Sequence, residues 1–265
     1  KCTYYAGTEG KKTIPIIALH GWEGQRGDYS ALASALQGPC AIIAPDLRGH
    51  GESMLQTVPG RDTPVELNRD RFGRDDFLRM VTGDLEVVYK FLLEKNNAGE
   101  LNIEQLCIIG ADFSCIVAVN WAAYDWSRRQ LIGYKQGRTV KAAVLLSPSQ
   151  SFKGFTMTQA LQQPYVRGNL SMMTLVGSQD SRVYSEARRL HNQLERIRPP
   201  LPEEREELLK KQDLFIFGLD TSLQGTALLG AGALGVSEKV RGFIGLRLVN
   251  KADDYAWSLR ENPLD

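Results

Sequence analysis

The residues able to do chemistry cluster where apolar runs end. His20-Gly21-Trp22-Glu23-Gly24 follows the run Thr13 to Leu19, and Pro45-Asp46-Leu47-Arg48-Gly49-His50-Gly51-Glu52-Ser53 follows Cys40 to Ala44. Gly110-Ala111-Asp112-Phe113-Ser114 makes a sharp turn out of Gln105 to Gly110. Gly177-Ser178-Gln179-Asp180-Ser181 follows Ser171 to Val176, and a loop with Ser222-Leu223-Gln224-Gly225-Thr226 follows Leu214 to Phe217. Proton transfer or nucleophilic attack needs a group that titrates near neutrality or an activated side chain. Asp112 and Asp180 are carboxylate candidates. The three histidines, His20, His50 and His191, lie far apart in sequence, and the four cysteines form no C-x-x-C pair. No metal site and no cofactor are expected from these residues. Cys107 and Cys115 lie in apolar runs, where a free thiol behaves as a small hydrophobe.

Stepping from these loops to what must hold them, short apolar runs alternate with segments of helical period. Helices are expected over Asp28 to Gln37, Asp75 to Glu94, Ser114 to Trp126, Tyr184 to Ile197 and Ser237 to Val249, and Thr3 to Ala6 reads as part of a strand. Strands that are apolar throughout, joined by helices, predict an α/β fold with a mainly parallel sheet and helices on both faces. In such sheets the ligand crevice lies outside the carboxyl ends of the strands, where all five loops fall. Gln56 to Arg74 is expected as a long loop. Gln150 to Gly168 is expected as a short lid-like segment with one helix over Thr156 to Gln163, and Arg198 to Lys211 as a solvated, proline-started helix. No stretch reads as a second domain, so residues 1–265 are expected to form one.

The order and spacing of the loop motifs resemble the α/β-hydrolase superfamily, esterase and lipase-like branch, over nearly the whole chain. The resemblance rests on His20-Gly21-Trp22 together with Asp46-Leu47-Arg48-Gly49-His50-Gly51-Glu52-Ser53. It implies an α/β-hydrolase fold with a minimal lid. It also implies roles: backbone N–H groups of Trp22 and Phe113 as the oxyanion hole, Asp112 at the nucleophile position, Asp180 at the acid position and Gln224 at the base position. His20, Gly21 and Glu23 would line the crevice. His20 and His50 would then be hydrogen-bonding loop residues, and His191 a helix residue beside Ala187, Leu190 and Leu194.

Two departures decide the chemistry. A serine triad needs an alcohol, a base and a carboxylate that orients the base. Asp112 is not an alcohol, and Gln224 has no titratable nitrogen. Ser114, two positions past the turn's apex, is a weak substitute. The helix N-terminus and the two N–H groups beside Asp112 are expected to favour its carboxylate, and its oxygens could occupy the hole. Glu23 would add repulsion toward an oxyanion if it pointed inward. The open readings are a pseudoenzyme that binds a small molecule, an active hydrolase of esters, thioesters or lactones with Asp180 as a base, and a dehalogenase-like enzyme attacking through Asp112. Tyr165, Phe152, Phe155, Trp22 and Phe113 could form an apolar rim.

Composition limits the partners. The 265 residues carry 32 Lys and Arg against 31 Asp and Glu, with 43% hydrophobic residues. A net charge of +1 gives no reason to expect nucleic acid or an anionic membrane. No apolar run approaches the roughly 20 residues that span a bilayer. The expected partner is a small-molecule ligand or substrate. The chain as given shows no signal peptide, and neither compartment nor oligomeric state can be read from it.

Overall fold

The computed structural model describes residues 1–57, 60 and 62–260. Seven strands form the central sheet: β1 (Cys2–Tyr5), β2 (Ile14–Leu19), β3 (Cys40–Pro45), β6 (Leu106–Ala111), β7 (Val140–Leu146), β10 (Ser171–Gly177) and β11 (Leu214–Leu219). Two short ribbons lie outside it, β4 (Leu55–Gln56) with β5 (Val65–Glu66) and β8 (Ser151–Phe152) with β9 (Phe155–Thr156). The sheet order is β1-β3-β2-β6-β7-β10-β11. Only the β1–β3 pair is antiparallel, with Thr3 opposite Ala44. This is the α/β-hydrolase fold with a mostly parallel sheet that the sequence predicts.

Alternate residues of each strand feed opposite faces of the sheet. Ile17, Leu19, Ile43, Leu106 and Ile108 pack into one layer, while Ile16, Ala18, Ile42, Cys107 and Ile109 pack into the other. On the first face lie α3 (Leu85–Asn97), α4 (Ser114–Ser127) and α6 (Ser181–Glu195), which contribute Leu92, Trp121 and Leu190. On the second face α1 (Ser30–Leu36) and α9 (Val236–Arg247) contribute Leu32, Leu36, Phe243 and Ile244. Because both faces are covered, the strands carry no polar side and their sequence shows no alternation. Cys40, Cys107 and Cys115 are buried free thiols, whereas Cys2 is exposed.

Several segments differ from their sequence reading. The helix expected over Asp75 to Glu94 is α2 (Arg74–Arg79), a π-helical turn at Met80–Asp84, and α3. The apolar face runs through all three, and sequence period does not distinguish a single wide turn from regular helix. In Gln150 to Gly168 the expected helix over Thr156 to Gln163 is absent. The segment instead forms the β8–β9 ribbon, a 3₁₀ turn at Ala160–Gln162 and α5 (Pro164–Gly168). Pro164 opens α5 and the Gln163 side chain accepts from the Val166 N–H at 2.9 Å, so the capping chemistry starts the helix eight residues later. In Arg198 to Lys211 only α7 (Arg205–Lys211) is helical. Two further short helical pieces, α8 (Ala227–Gly230) and a 3₁₀ turn at Gly232–Leu234, precede α9. The loop expected over Gln56 to Arg74 holds β5 and a 3₁₀ turn at Arg69–Arg71, and its residues 58, 59 and 61 lie outside the described residues. No helix of the described residues is long and apolar enough to cross a membrane.

Candidate functional site

Asp112 stands at the apex of the turn between β6 and α4. Its φ is +51°, in the left-handed region that a non-glycine residue occupies only when its surroundings enforce it. Two contacts do so. The Asp112 N–H donates to the Leu146 carbonyl at 2.9 Å, and a side chain on Gly110 would meet the Cys115 backbone at 2.8 Å. Strand and helix therefore approach too closely for any wider turn.

The carboxylate lies between two glycines. A Cβ on Gly225 would sit 2.8 Å from Asp112 Cγ, and one on Gly21 would sit 3.4 Å from the same atom and overlap Oδ2. Gly225 is itself left-handed, with φ +57°. The loop after β2, the β6–α4 turn and the loop after β11 thus meet at one carboxylate. Burial pushes Asp112 up to about 6. Among the described residues no hydrogen-bond donor reaches it, and neither Trp22 N–H nor Phe113 N–H donates to any protein acceptor. The helix end and these amides do not favour the charged form as expected: none donates to the carboxylate, and loss of water raises its pKa.

Gln224 adjoins this pair, and its amide is held away from ionisable partners. Its Oε1 accepts from Ser147 Oγ at 2.6 Å and from the Gly177 N–H at 3.2 Å, while Nε2 donates to the Gly177 carbonyl at 3.0 Å. Ser147 Oγ in turn accepts from the Gly225 N–H at 2.9 Å. Ser147, left-handed at φ +52° and nearly inaccessible, was not singled out in the sequence. Its signal was position: it immediately follows β7, as Asp112 follows β6. Asp180 caps α6, its Oδ1 accepting from the Arg182 and Val183 N–H groups at 3.0 and 3.1 Å. No hydrogen bond joins Asp180 to Gln224 among the described residues.

The flanking residues divide. His20 is fully buried and does not line an open crevice. Its Nδ1 lies 2.8 Å from the Gly21 carbonyl and its Nε2 accepts from the Leu47 N–H at 3.0 Å, so it ties the loop after β2 to the loop after β3. Burial lowers its pKa, which suits a neutral ring with that bonding pattern. His50 is buried as well and is pushed down to about 4 by burial, with Nδ1 at 2.9 Å from the Arg48 carbonyl. Glu23 points outward, exposed, 3.6 Å from Arg69 Nη2, so it adds no inward charge. Ser114 is inaccessible, its hydroxyl bonded to the carbonyls of Leu19 and Ala111, and cannot serve as a displaced nucleophile. His191 lies on α6, 4.0 Å from Glu195.

Trp22, Phe113, Phe152 and Phe77 pack ring to ring at 4.9 to 6.3 Å, and Phe155 stacks on Phe77 at 5.8 Å. The segment over 150–168 therefore folds its aromatics onto the Trp22 loop instead of leaving a loose rim. Tyr165, expected with them, stacks on Trp126 at 3.3 Å elsewhere in the molecule. Among the described residues no group of three or more His, Cys, Asp or Glu could hold a metal ion.

Comparison with known proteins bears on the family and the fold. The sequence model of the Alpha/beta hydrolase family matches residues 16–255. A "Probable serine hydrolase" of Drosophila melanogaster is 46% identical over 43 residues, which is 16% of this chain and only 13% of that protein's length. Among solved structures, Zea mays acyl-protein thioesterase 2 superposes with a TM-score of 0.51 at 14% identity, over 92% of this chain and 99% of that one. MenH from S. aureus gives 0.51 at 12% identity, over 92% and 97%. A putative hydrolase from Agrobacterium vitis gives 0.54 at 13% identity, over 92% of each. At such identities the structural likeness speaks for the fold alone.

Proposed function

The chain belongs to the alpha/beta hydrolase family, and from that premise we propose that it retains the family's small-molecule crevice without a serine-hydrolase mechanism. In this reading Asp112 holds the nucleophile position, Gln224 the base position and Asp180 the acid position, with Trp22 and Phe113 N–H groups as the oxyanion hole. One observation carries it: a half-buried, donor-free carboxylate at the turn apex adjoins a loop whose Gln224 side chain is a tethered amide. With a pKa of about 6, Asp112 is mostly ionised at neutral pH. An acyl oxyanion forming at the Trp22 and Phe113 amides would meet that negative charge directly, at short range and partly out of water. Gln224 cannot accept the proton that an attacking alcohol or water must lose. Asp180, engaged with two backbone N–H groups, is poorly placed to replace it.

The experiment is turnover of short-chain nitrophenyl esters. The proposal expects wild type and Asp112→Ala to match buffer. Ester turnover in wild type that Asp112→Ala abolishes would end it.

A second reading, attack of Asp112 on an alkyl carbon, is favoured by the same lack of donors, since unbonded lone pairs are free to react. A carboxylate oxygen would form a C–O bond while the C–halogen bond breaks and halide leaves with the electron pair. With Gln224 in place of a base the alkyl ester would persist. Intact-mass measurement after incubation with alkyl halides or epoxides tests this; an unmodified mass across the panel removes it.

A further inference from the structure

A cavity of about 910 Å³ lies away from Asp112. It opens at the other end of the sheet, beside Lys141 on β7, Ser171 on β10 and Leu214 on β11, at the amino ends of these parallel strands. A seven-residue strand such as β7 spans roughly 20 Å, so this cavity and the Asp112 turn are separated by the length of the sheet.

Its charge is out of proportion to the chain. Six cations line it, Lys141, Arg198, Lys210, Lys211, Arg247 and Lys251, against three carboxylates, a surplus of three positive charges in a protein whose net charge is +1. Three of these cations are buried: Arg247 is 3% exposed, Lys141 9%, and the Arg198 side chain 5%. Arg198 is matched, lying 2.6 Å from Asp213 and donating to the Leu170 carbonyl. The other two make no salt bridge among the described residues, although Asp213 lies near Arg247, and Glu104 and Asp125 near Lys141. Arg247 donates from Nε to Ser171 Oγ at 3.2 Å and from Nη1 to the Lys210 carbonyl at 3.0 Å, and Nη2 has no hydrogen-bond partner among the described residues. Lys141 Nζ donates to the Arg138 carbonyl at 2.6 Å and otherwise faces the Trp126 and Tyr255 rings at 4.6 and 5.2 Å. Burial brings Lys141 down to about 8 against the pull of Glu104 and Asp125, and burial with the nearby Arg247 lowers Lys251 against that of Asp254 and Asp213.

Buried cations that no salt bridge meets are unfavourable unless further negative charge reaches them. Arg247 is held in place by Ser171 Oγ and the Lys210 carbonyl, and its guanidinium stays protonated. The stacked pair Trp126 and Tyr165 adds a flat apolar wall beside the cations. We infer that this cavity binds a small organic polyanion, its doubly or triply charged oxyanion head on Arg247, Lys141 and Lys251 and its organic part against Trp126 and Tyr165. No local pattern marks it. Arg198 to Lys211 reads as a solvated charged stretch, and only the fold brings its two ends over the strand starts of β10 and β11.

The test is isothermal titration of the full chain at low ionic strength with pyrophosphate and, separately, with citrate. Saturable one-site binding with a dissociation constant at or below about 1 mM is expected for at least one probe. Pyrophosphate alone would assign a phosphoryl head, citrate alone a polycarboxylate, and both a site that reads charge. Arg247 braces the backbone and its loss could unfold the chain, so the variants are Lys251→Gln and Lys210→Gln, checked for an unchanged melting curve. Lys251→Gln should weaken binding roughly tenfold and Lys210→Gln less, while Asp112→Asn should leave it unchanged. Absence of binding by both probes, or binding that Lys251→Gln leaves intact, overturns the inference. Loss of binding in Asp112→Asn would overturn it too, by moving the site to the other end of the sheet. None of these outcomes bears on ester turnover.

Discussion

Gly225 and Asp112 are fitted to each other: a single added carbon on Gly225 would lie 2.8 Å from both Cγ and Oδ1 of the carboxylate. Gly225 also holds φ +57°, so two separate penalties fall on any side chain there. Gly225→Ala should cost about 2–3 kcal/mol, of which about 1 kcal/mol is backbone strain. Adding Asp112→Ala should restore the overlap part and leave the strain. Urea unfolding of both single variants and the double variant measures the coupling. Additive effects would mean that the two residues do not touch.

Asp112 should also make stability depend on pH. Burial raises its folded pKa to about 6, so the folded state holds the proton more tightly than the unfolded chain, whose Asp titrates near 4. Stability from this group is greatest at low pH and is lost as pH rises from about 4 through about 6. Asp112→Asn removes the titration. It should match wild type near pH 4 and exceed it by about 1–3 kcal/mol near pH 8. His20 and His50, lowered by burial, contribute the opposite trend as acid protonates them, but equally in both proteins. The difference between the two unfolding curves therefore isolates Asp112. A flat difference would show that water or a counter-charge reaches the carboxylate.

The three loops that meet at the Asp112 carboxylate were legible because each follows an apolar run, and a buried parallel strand leaves a strong signature. The direction of side chains was not. Glu23 pairs outward with Arg69, a contact 46 residues away that no local pattern encodes. Asp112 loses more from burial than it gains from nearby amides, a balance set by bond distances and not by residue type. Ser147 carries no motif; its part in holding Gln224 depends on the β7–β10 register. The cations of the cavity likewise come from five separate segments, β7, the stretch after α6, α7, α9 and the turn that follows it, and each alone reads as surface charge.

A buried ion pair fixes the end of the described chain. Arg260 clasps Glu104 with two bonds of 2.8 Å and donates to the Gly137 carbonyl at 2.9 Å, while Lys135 adds a contact of 2.8 Å. Burial opposes ionisation of Glu104, and the bonds from Arg260, Lys135 and Ser258 outweigh it, holding the pKa at about 2. The lowered value means that this stability is present above the ordinary glutamate range and lost as pH falls toward 2. Arg260→Ala should cost about 3–5 kcal/mol at neutral pH by stranding a buried carboxylate. Glu104→Gln combined with Arg260→Met should recover most of it. Denaturant midpoints at pH 7 and pH 3 check both, and the loss from Arg260→Ala should shrink at the lower pH.

The last prediction concerns what would be needed to give the turn apex a serine mechanism. Asp112 and Gln224 belong to loops in contact, and Trp22 and Phe113 N–H groups carry no protein acceptor among the described residues. Asp112→Ser supplies the alcohol and removes the negative charge, but an alcohol without a base stays largely inert. Gln224→His supplies a base but leaves a carboxylate at the apex. Each single variant should therefore stay at the background rate with nitrophenyl acetate. The double variant should exceed background by at least about tenfold, because members of a triad act as a unit and not additively. Its imidazole would have Ser147, Gly177 or Asp180 as the orienting acceptor, and adding Asp180→Asn separates these cases. If Asp112→Ser alone turned over ester, another group near the apex would already be serving as base, and Gln224 would lose its assigned position.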